Sequence, residues 1–339
     1  MSCDSLEEQG FFMERKMTSH TVSCEACKMF FRRAIVENPF FNCKKLNNCY
    51  EVSTNSNHLK CAACRFKRCL QLGMKLPPSN NAILELENQK AHKLKKLLNG
   101  LILRDAKRCE RHLTFYTRSD PSLEDILINK KTMNNDKNEN AVTSFEWSFL
   151  AVFNVIEYFS TFDFIENLEY SDKKLLFQCN TFNANVLCGA MRGFKEKRSK
   201  MVTPTGQAIL PDGIAPLLNT TSQMLHRVSC QVIAIIIELK MTNEEFILLN
   251  LIFFLRIDNN LSESAKISLA SHQNFFTNAL FEYCQLKYER RAPSRFADLL
   301  SLCQIIQKTS SEMKYIGIML QTFVPGFRAK TLVSDAYMI

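Results

Sequence analysis

The chain has 339 residues, of which 46% are hydrophobic and 23% charged, with only 9 Gly, only 9 Pro and a net charge of +9. Average usage would give about 24 Gly and about 17 Pro, so the scarcity of chain-breakers argues against a many-turned β-sandwich or propeller and for helices. The length fits roughly two domains, and the longest strongly apolar runs, Val232–Leu239 and Phe246–Leu255, fall short of the ~18 residues of a bilayer crossing.

The chain opens with early acids and no apolar core segment (MSCDSLEEQGFFMERKM), so no secretory signal is expected. There are 14 cysteines, and Cys24, Cys27, Cys43, Cys49, Cys61, Cys64 and Cys69 fall within 46 residues. A dense cluster with two CxxC pairs and no secretory signal reads as metal ligands, not disulfides. From Glu14 to Lys75 twelve Lys and Arg face four acids, a net +8 of the chain's +9. This asymmetry predicts a polyanion-binding module joined to an ordinary globular domain.

Within the block, Cys43, Cys49 and the pair Cys61-Ala-Ala-Cys64 supply four thiolates. Four soft, charged sulfurs close a tetrahedral zinc site with Zn–S near ~2.3 Å and leave no position open for catalysis. The other pair, Cys24-Glu-Ala-Cys27, runs into the basic and aromatic stretch Lys28-Met-Phe-Phe-Arg-Arg-Ala. Two thiols cannot complete a zinc site, and upstream stand only Cys3 and the candidate nitrogen ligand His20. One zinc is therefore expected, with a second site incomplete. Phe30, Phe31 and Phe66 are expected in the core, pinning two helices across each other.

Residues 1–76 form this block. Pro77, Pro78 and Ser79-Asn80-Asn81 break any helix leaving it. Residues 82–118 are helix-prone, with Ile83, Leu86, Leu94, Leu97, Leu98 and Leu101 at helical spacing. Residues 129–140 (NKKTMNNDKNEN) have no apolar face and read as a flexible loop. Residues 77–140 are thus a hinge or linker. In 141–339, Phe149, Val152, Phe153, Ile156, Phe159 and Phe162 mark one helix, and Phe296, Leu299, Leu300, Cys303 and Ile306 another. Val232–Leu239 is expected to cross the middle of the domain as a buried helix. A short strand pair is expected around Met201–Leu210, bounded by Pro and Gly.

Four motifs carry a resemblance. Cys24-Glu-Ala-Cys-Lys-Met-Phe-Phe-Arg-Arg33 and Cys61-Ala-Ala-Cys-Arg-Phe-Lys-Arg-Cys-Leu-Gln-Leu-Gly-Met74 resemble the DNA-binding domain of nuclear hormone receptors, in the correct order. Phe164-Ile-Glu-Asn-Leu168 with Asp172-Lys-Lys-Leu-Leu176 resembles the helix 3 to helix 4 signature of their ligand-binding domain. Pro293-Ser-Arg-Phe-Ala-Asp-Leu-Leu300 resembles the start of its dimer-interface helix. The style is similar to the divergent nematode branch related to hepatocyte-nuclear-factor-type receptors. The fold implied is a small zinc-containing α module plus an all-α layered ligand-binding domain.

The resemblance also implies roles. The helix after Cys24 would enter the major groove. Glu25, Ala26 and Met29 match half-site-reading positions, and Lys28 and Arg33 match base or phosphate contacts. Arg32, Arg65, Lys67 and Arg68 are suited to neutralising phosphates. A small lipophilic ligand would sit among helices carrying Phe149, Phe153, Ile156, Phe182, Val186 and Leu187. The C-terminal run with Leu332, Val333, Asp335 and Tyr337 fits an activation helix, Asp335 capping a coactivator helix by the dipole argument. The lysine that usually completes that clamp is replaced by Ser160, with Lys173 or Lys174 as substitutes. The chain departs from the pattern where the first module's earlier cysteines are due, at Glu7 and Gly10; in Ala26, where glycine is usual; and in a Cys49–Cys61 gap two residues longer than usual.

No GxSxG, HExxH, Walker A or GxGxxG motif is present, so an enzyme is not expected. The function implied is a nuclear, DNA-binding transcription factor. Its partners would be a DNA response element, a lipophilic ligand, a coactivator or corepressor, and a second receptor as dimer partner. The rival readings are a receptor-like protein that acts by dimerisation or cofactor capture without DNA, and a lipophilic-ligand sensor.

Overall fold

The structure is a computed structural model. It describes residues 23, 25–36, 41–44, 49, 61–75, 80–129, 135–136, 142–210, 222–324 and 328–338, without the side chains of 36, 80–87 and 222. Cys3, Glu7, Gly10, His20, Cys24, the Pro77–Ser79 break and most of the 129–140 segment lie outside the described residues. The chain divides into two compact units, Met1–Lys90 and Ala91–Ile339.

The first unit holds α1 (Glu25–Val36) and α2 (Ala62–Gln71). Phe31, Cys69 and Met74 are buried together, with Phe30 and Phe66 packed against them. Phe31 stacks on Phe66 at 5.7 Å, and Phe41 meets both Phe30 and Phe66 at 5.8 Å. The three phenylalanines are the pin between the helices, as expected. Gly73 ends α2 with φ 76, a left-handed conformation that a Cβ disfavours. There the Met74 amide donates to the Cys69 carbonyl and Gly73 to Leu70, satisfying the last carbonyls of the helix.

The division between units falls within α3 (Asn80–Thr114), whose Leu94, Leu98 and Leu101 are buried at the predicted helical spacing. The second unit continues with α4 (Leu123–Leu127), α5 (Ser144–Ser160), α6 (Asp163–Glu166), α7 (Tyr170–Lys195) and α8 (Ser222–Leu239). It ends with α9 (Asn243–Phe254), α10 (Glu263–Tyr288), a 3-10 turn, α11 (Ala292–Phe323) and α12 (Thr331–Tyr337). Several helices start where a side chain satisfies orphan amides: Thr143 with Glu146 at α5, Thr242 with Glu245 at α9, and Ser262 at α10. Ser262 itself donates to the buried Asp172 of α7 at 2.6 Å. α7 packs against α5, α8, α9, α11 and α12, and α10 packs on α9 and α11.

Two expectations are corrected. Val232–Leu239 is not the central helix: Val232, Ile233 and Ile236 face inward, but Ala234 and Ile237 are exposed. The helix closed in on every side is α9, where each residue from Glu245 to Leu255 is buried. It is covered by α7, α10 and α11, whereas α8 lies with one face outward. Met201–Leu210 forms a single antiparallel bridge, Val202 with Ala208, and no strand is present among the described residues. The turn between them is closed by Thr203, whose amide and side chain both bond Gln207.

Candidate metal centre and nucleic-acid interface

Cys61 caps the N-terminus of α2 in extended backbone (φ −82°, ψ 102°), and Cys64 lies in its first turn. Their spacing places both sulfurs at the helix end where aligned amides favour negative charge. Cys43 and Cys49 join them from the preceding segment, and all four sulfurs lie within 4.8 Å of one another. The Cys43–Cys49 and Cys43–Cys64 separations are 3.6 and 3.5 Å. A tetrahedron with ~2.3 Å metal–sulfur bonds has edges of about 3.8 Å, so the four thiols fit a zinc ion. Hydrogen bonding to Cys43, above all, pushes the Cys49 thiol up to about 12, and burial raises Cys64. A divalent cation reverses this, because it binds thiolates and releases their protons. Cys69, also in the cysteine run, is core: it is 4% exposed. Among the described residues this is the one cluster of three or more metal-binding side chains.

On α1, Phe31 and Ala34 point inward, while Glu25, Ala26, Met29, Arg32 and Arg33 are exposed along the opposite side. Lys28 is held against the helix by an ion pair with Glu25 at 2.9 Å, and Arg33 Nε donates to the Met29 carbonyl. On α2, Lys67 and Arg68 are exposed. Arg65 differs. Its guanidinium donates to the Ala26 carbonyl at 3.1 Å and to Cys27 Sγ at 3.6 Å, and lies over the Phe30 ring. Residue type alone grouped it with Lys67 and Arg68; the crossing of the helices turns it onto α1.

In the second unit, Phe149, Ile156 and Leu187 are fully buried, and Phe153, Phe182 and Val186 nearly so. All six belong to one continuous core. Phe153 stacks on Phe149 and Phe115, and Phe182 on Tyr337. A cleft of about 710 Å³ opens elsewhere, lined by Arg104, Phe164, His272 and their neighbours and by none of the six.

α12 is docked. Leu332, Val333, Ala336 and Tyr337 are buried, and Asn185 Nδ2 donates to the Tyr337 hydroxyl. The Asp335 carboxylate accepts from the Leu123 amide at 3.0 Å, and Gln178 donates to the Asp335 carbonyl. Lys173 is buried and donates to the Glu166 carbonyl at the end of α6, while Lys174 lies over the Tyr170 ring. Sequence reasoning missed α4, although Ser122 and Asp125 form a capping box ahead of Ile126 and Leu127. It also missed the buried pair Glu245–Arg295, at 2.7 Å.

Comparison with known proteins adds two family models and several relatives. The ligand-binding domain of nuclear hormone receptors matches residues 129–323, and the C4-type double treble clef zinc finger matches residues 15–76. The chain is 38% identical over 322 residues to nuclear hormone receptor family member nhr-51 of Caenorhabditis elegans, covering 94% of this chain and 85% of that one. It is 39% identical over 320 residues to member nhr-268 of the same organism, covering 93% and 94%. Member nhr-52 is 36% identical over 318 residues, with the same coverage.

Proposed function

Because the chain belongs to the nuclear hormone receptor family, whose members are transcription factors and not enzymes, we propose that it binds a DNA response element through α1 and regulates transcription by RNA polymerase II in the nucleus. The observation that carries this reading is the exposed face of α1, fastened beside a four-thiol cluster. Cys43, Cys49, Cys61 and Cys64 would hold the zinc, which supplies a structural cross-link. This chain's own residues do the rest. Phe31 stacked on Phe66 and Arg65 on Phe30 fix α1 across α2. The crossing leaves Glu25, Ala26, Met29, Arg32 and Arg33 outward, where a major groove can be read. Lys67 and Arg68, exposed on α2, are suited to phosphates.

In this reading residues 1–76 are the DNA-binding domain, 77–140 the hinge and 141–339 the ligand-binding domain. The hinge then contributes most of α3 and all of α4 to the helical unit. Phe149, Phe153, Ile156, Phe182, Val186 and Leu187 are the candidate ligand-facing residues, and their burial in one continuous core means that a lipophilic ligand would have to open that core. A coactivator or corepressor and a second receptor are the protein partners proposed. A second reading, action through partners without DNA, is favoured by Glu7 and Gly10 standing where the first module's thiols are due.

Retention of the full chain on duplex DNA at two salt concentrations separates the two. Lys28→Ala with Arg33→Ala should weaken binding several-fold and flatten the salt dependence, since each lost phosphate contact lowers the slope by ~0.9. Unchanged affinity and slope would remove α1 from the interface. No DNA binding by the parent chain would favour the second reading.

A further inference from the structure

α4 has five residues, too few to hold a helix alone in water. Three contacts hold it. Ser122 and Asp125 close a capping box at its start. Leu123 and Leu127 are buried at 0% and 8% exposure, and Ile126 is half-buried against the same core. These are positions i, i+4 and i+3, the spacing by which an amphipathic helix lies in a groove. Finally, Asp335, 212 residues along the chain, accepts from the Leu123 amide at 3.0 Å. That carboxylate meets the helix end where the dipole is positive.

The surface under α4 is made by α7 and α12. Gln178 of α7 steadies Asp335 through its carbonyl, and Thr331, opening α12, bonds Asp120, two residues before Ser122. The segment 120–127 is therefore tied to α12 at both the start and the middle of that helix.

We propose that α4 is a tethered occupant of a helix-docking groove formed by α7 and α12. The partner that fits the groove is an amphipathic helix of another protein with apolar residues at i, i+3 and i+4, and it must first displace α4. This rests on the reading of the helical unit as one that recruits partners. A short tether gives the internal segment an effective concentration in the millimolar range, so an outside helix sees only the fraction of molecules in which α4 has left. The groove is self-covered, and recruitment is weak until something draws α4 away.

The test uses a fluorescein-labelled peptide of this chain's residues 119–129, titrated with the full chain and read by fluorescence polarisation. Leu123→Ala with Leu127→Ala removes the internal anchors but leaves the groove intact. It should bind the peptide at least ten-fold more tightly than the parent chain, and adding Asp335→Ala should cancel the gain. Equal affinity of parent and double variant would overturn the proposal. Should the double variant misfold, hydrogen exchange on the parent chain decides: millimolar peptide should speed exchange of the amides of 123–128 and leave those of α5 protected, and unchanged exchange of 123–128 would overturn it. Neither measurement involves DNA, so failure here is distinct from failure of the DNA-binding reading.

Discussion

Glu245 is a carboxylate with no exposed surface, and it survives there because every lone pair is used. Arg295 donates to both oxygens, at 2.8 and 2.7 Å, Tyr288 donates at 2.9 Å, and the Thr242 amide at 2.8 Å. Burial pushes this carboxyl up, but the bonds from Arg295, Thr242 and Tyr288 outweigh it and hold it below the usual value of 4.5. A depressed carboxyl contributes stability above its unfolded value and loses it as pH falls through the folded one. The pair thus belongs to the acid-labile part of the fold. Breaking it by Arg295→Met leaves an uncompensated buried charge, at a cost of about 3–5 kcal/mol. Urea unfolding should report that loss near neutral pH and a smaller one below the carboxyl's titration. A variant as stable as the parent at neutral pH would show that the pair adds nothing.

Elements in the helical unit are positioned by their starts as much as by their apolar faces. α9 shows this best: from Glu245 onward it is buried on all sides, so no single apolar stripe sets its rotation. Its N-terminus does, because Thr242 accepts from the Glu245 amide and Glu245 accepts from the Thr242 amide, and Glu245 is then held by Arg295 of α11. Thr242→Ala removes the cap and one of the three hydrogen-bond partners of the Tyr283 hydroxyl, leaving Glu244 and Lys287. A loss of about 1 kcal/mol is expected, seen as a lower urea midpoint with an unchanged slope. A slope change would instead mean that α9 has shifted and the native core has loosened.

At the scale of the molecule, the two units rest on different physics. The second has a continuous core of more than fifty buried side chains. Among the described residues, the first has a small core cluster of Phe31, Cys69 and Met74, and a module with a core of that size relies on a metal cross-link to fold. Cys61→Ser should therefore lower the zinc content by one per chain and remove the helical signal of the first unit. The main thermal transition, which belongs to a core without a ligand to that metal, should persist. Zinc retained by the variant would exclude Cys61 as a ligand. Proton competition adds a direction: because the thiols of Cys49 and Cys64 are raised, zinc retention should weaken as pH falls.

The division of labour between sequence and tertiary structure follows from range. The helical class, the two-part organisation and the four sulfurs of the zinc cluster were legible because each is written in local spacing: CxxC beside a basic, aromatic helical stretch, and apolar residues every three or four positions. Phe30, Phe31 and Phe66 were legible through the resemblance carried by the two cysteine motifs that contain them. Local patterning could not rank Val232–Leu239 against Phe246–Leu255, since both are apolar runs and only the covering helices decide which is central. It could not tell Arg65 from Arg68, because a helix crossing chooses which guanidinium turns inward. Nor could it join Asp335 to Leu123: a carboxylate and a helix start 212 residues apart meet only when α7 brings both to one surface.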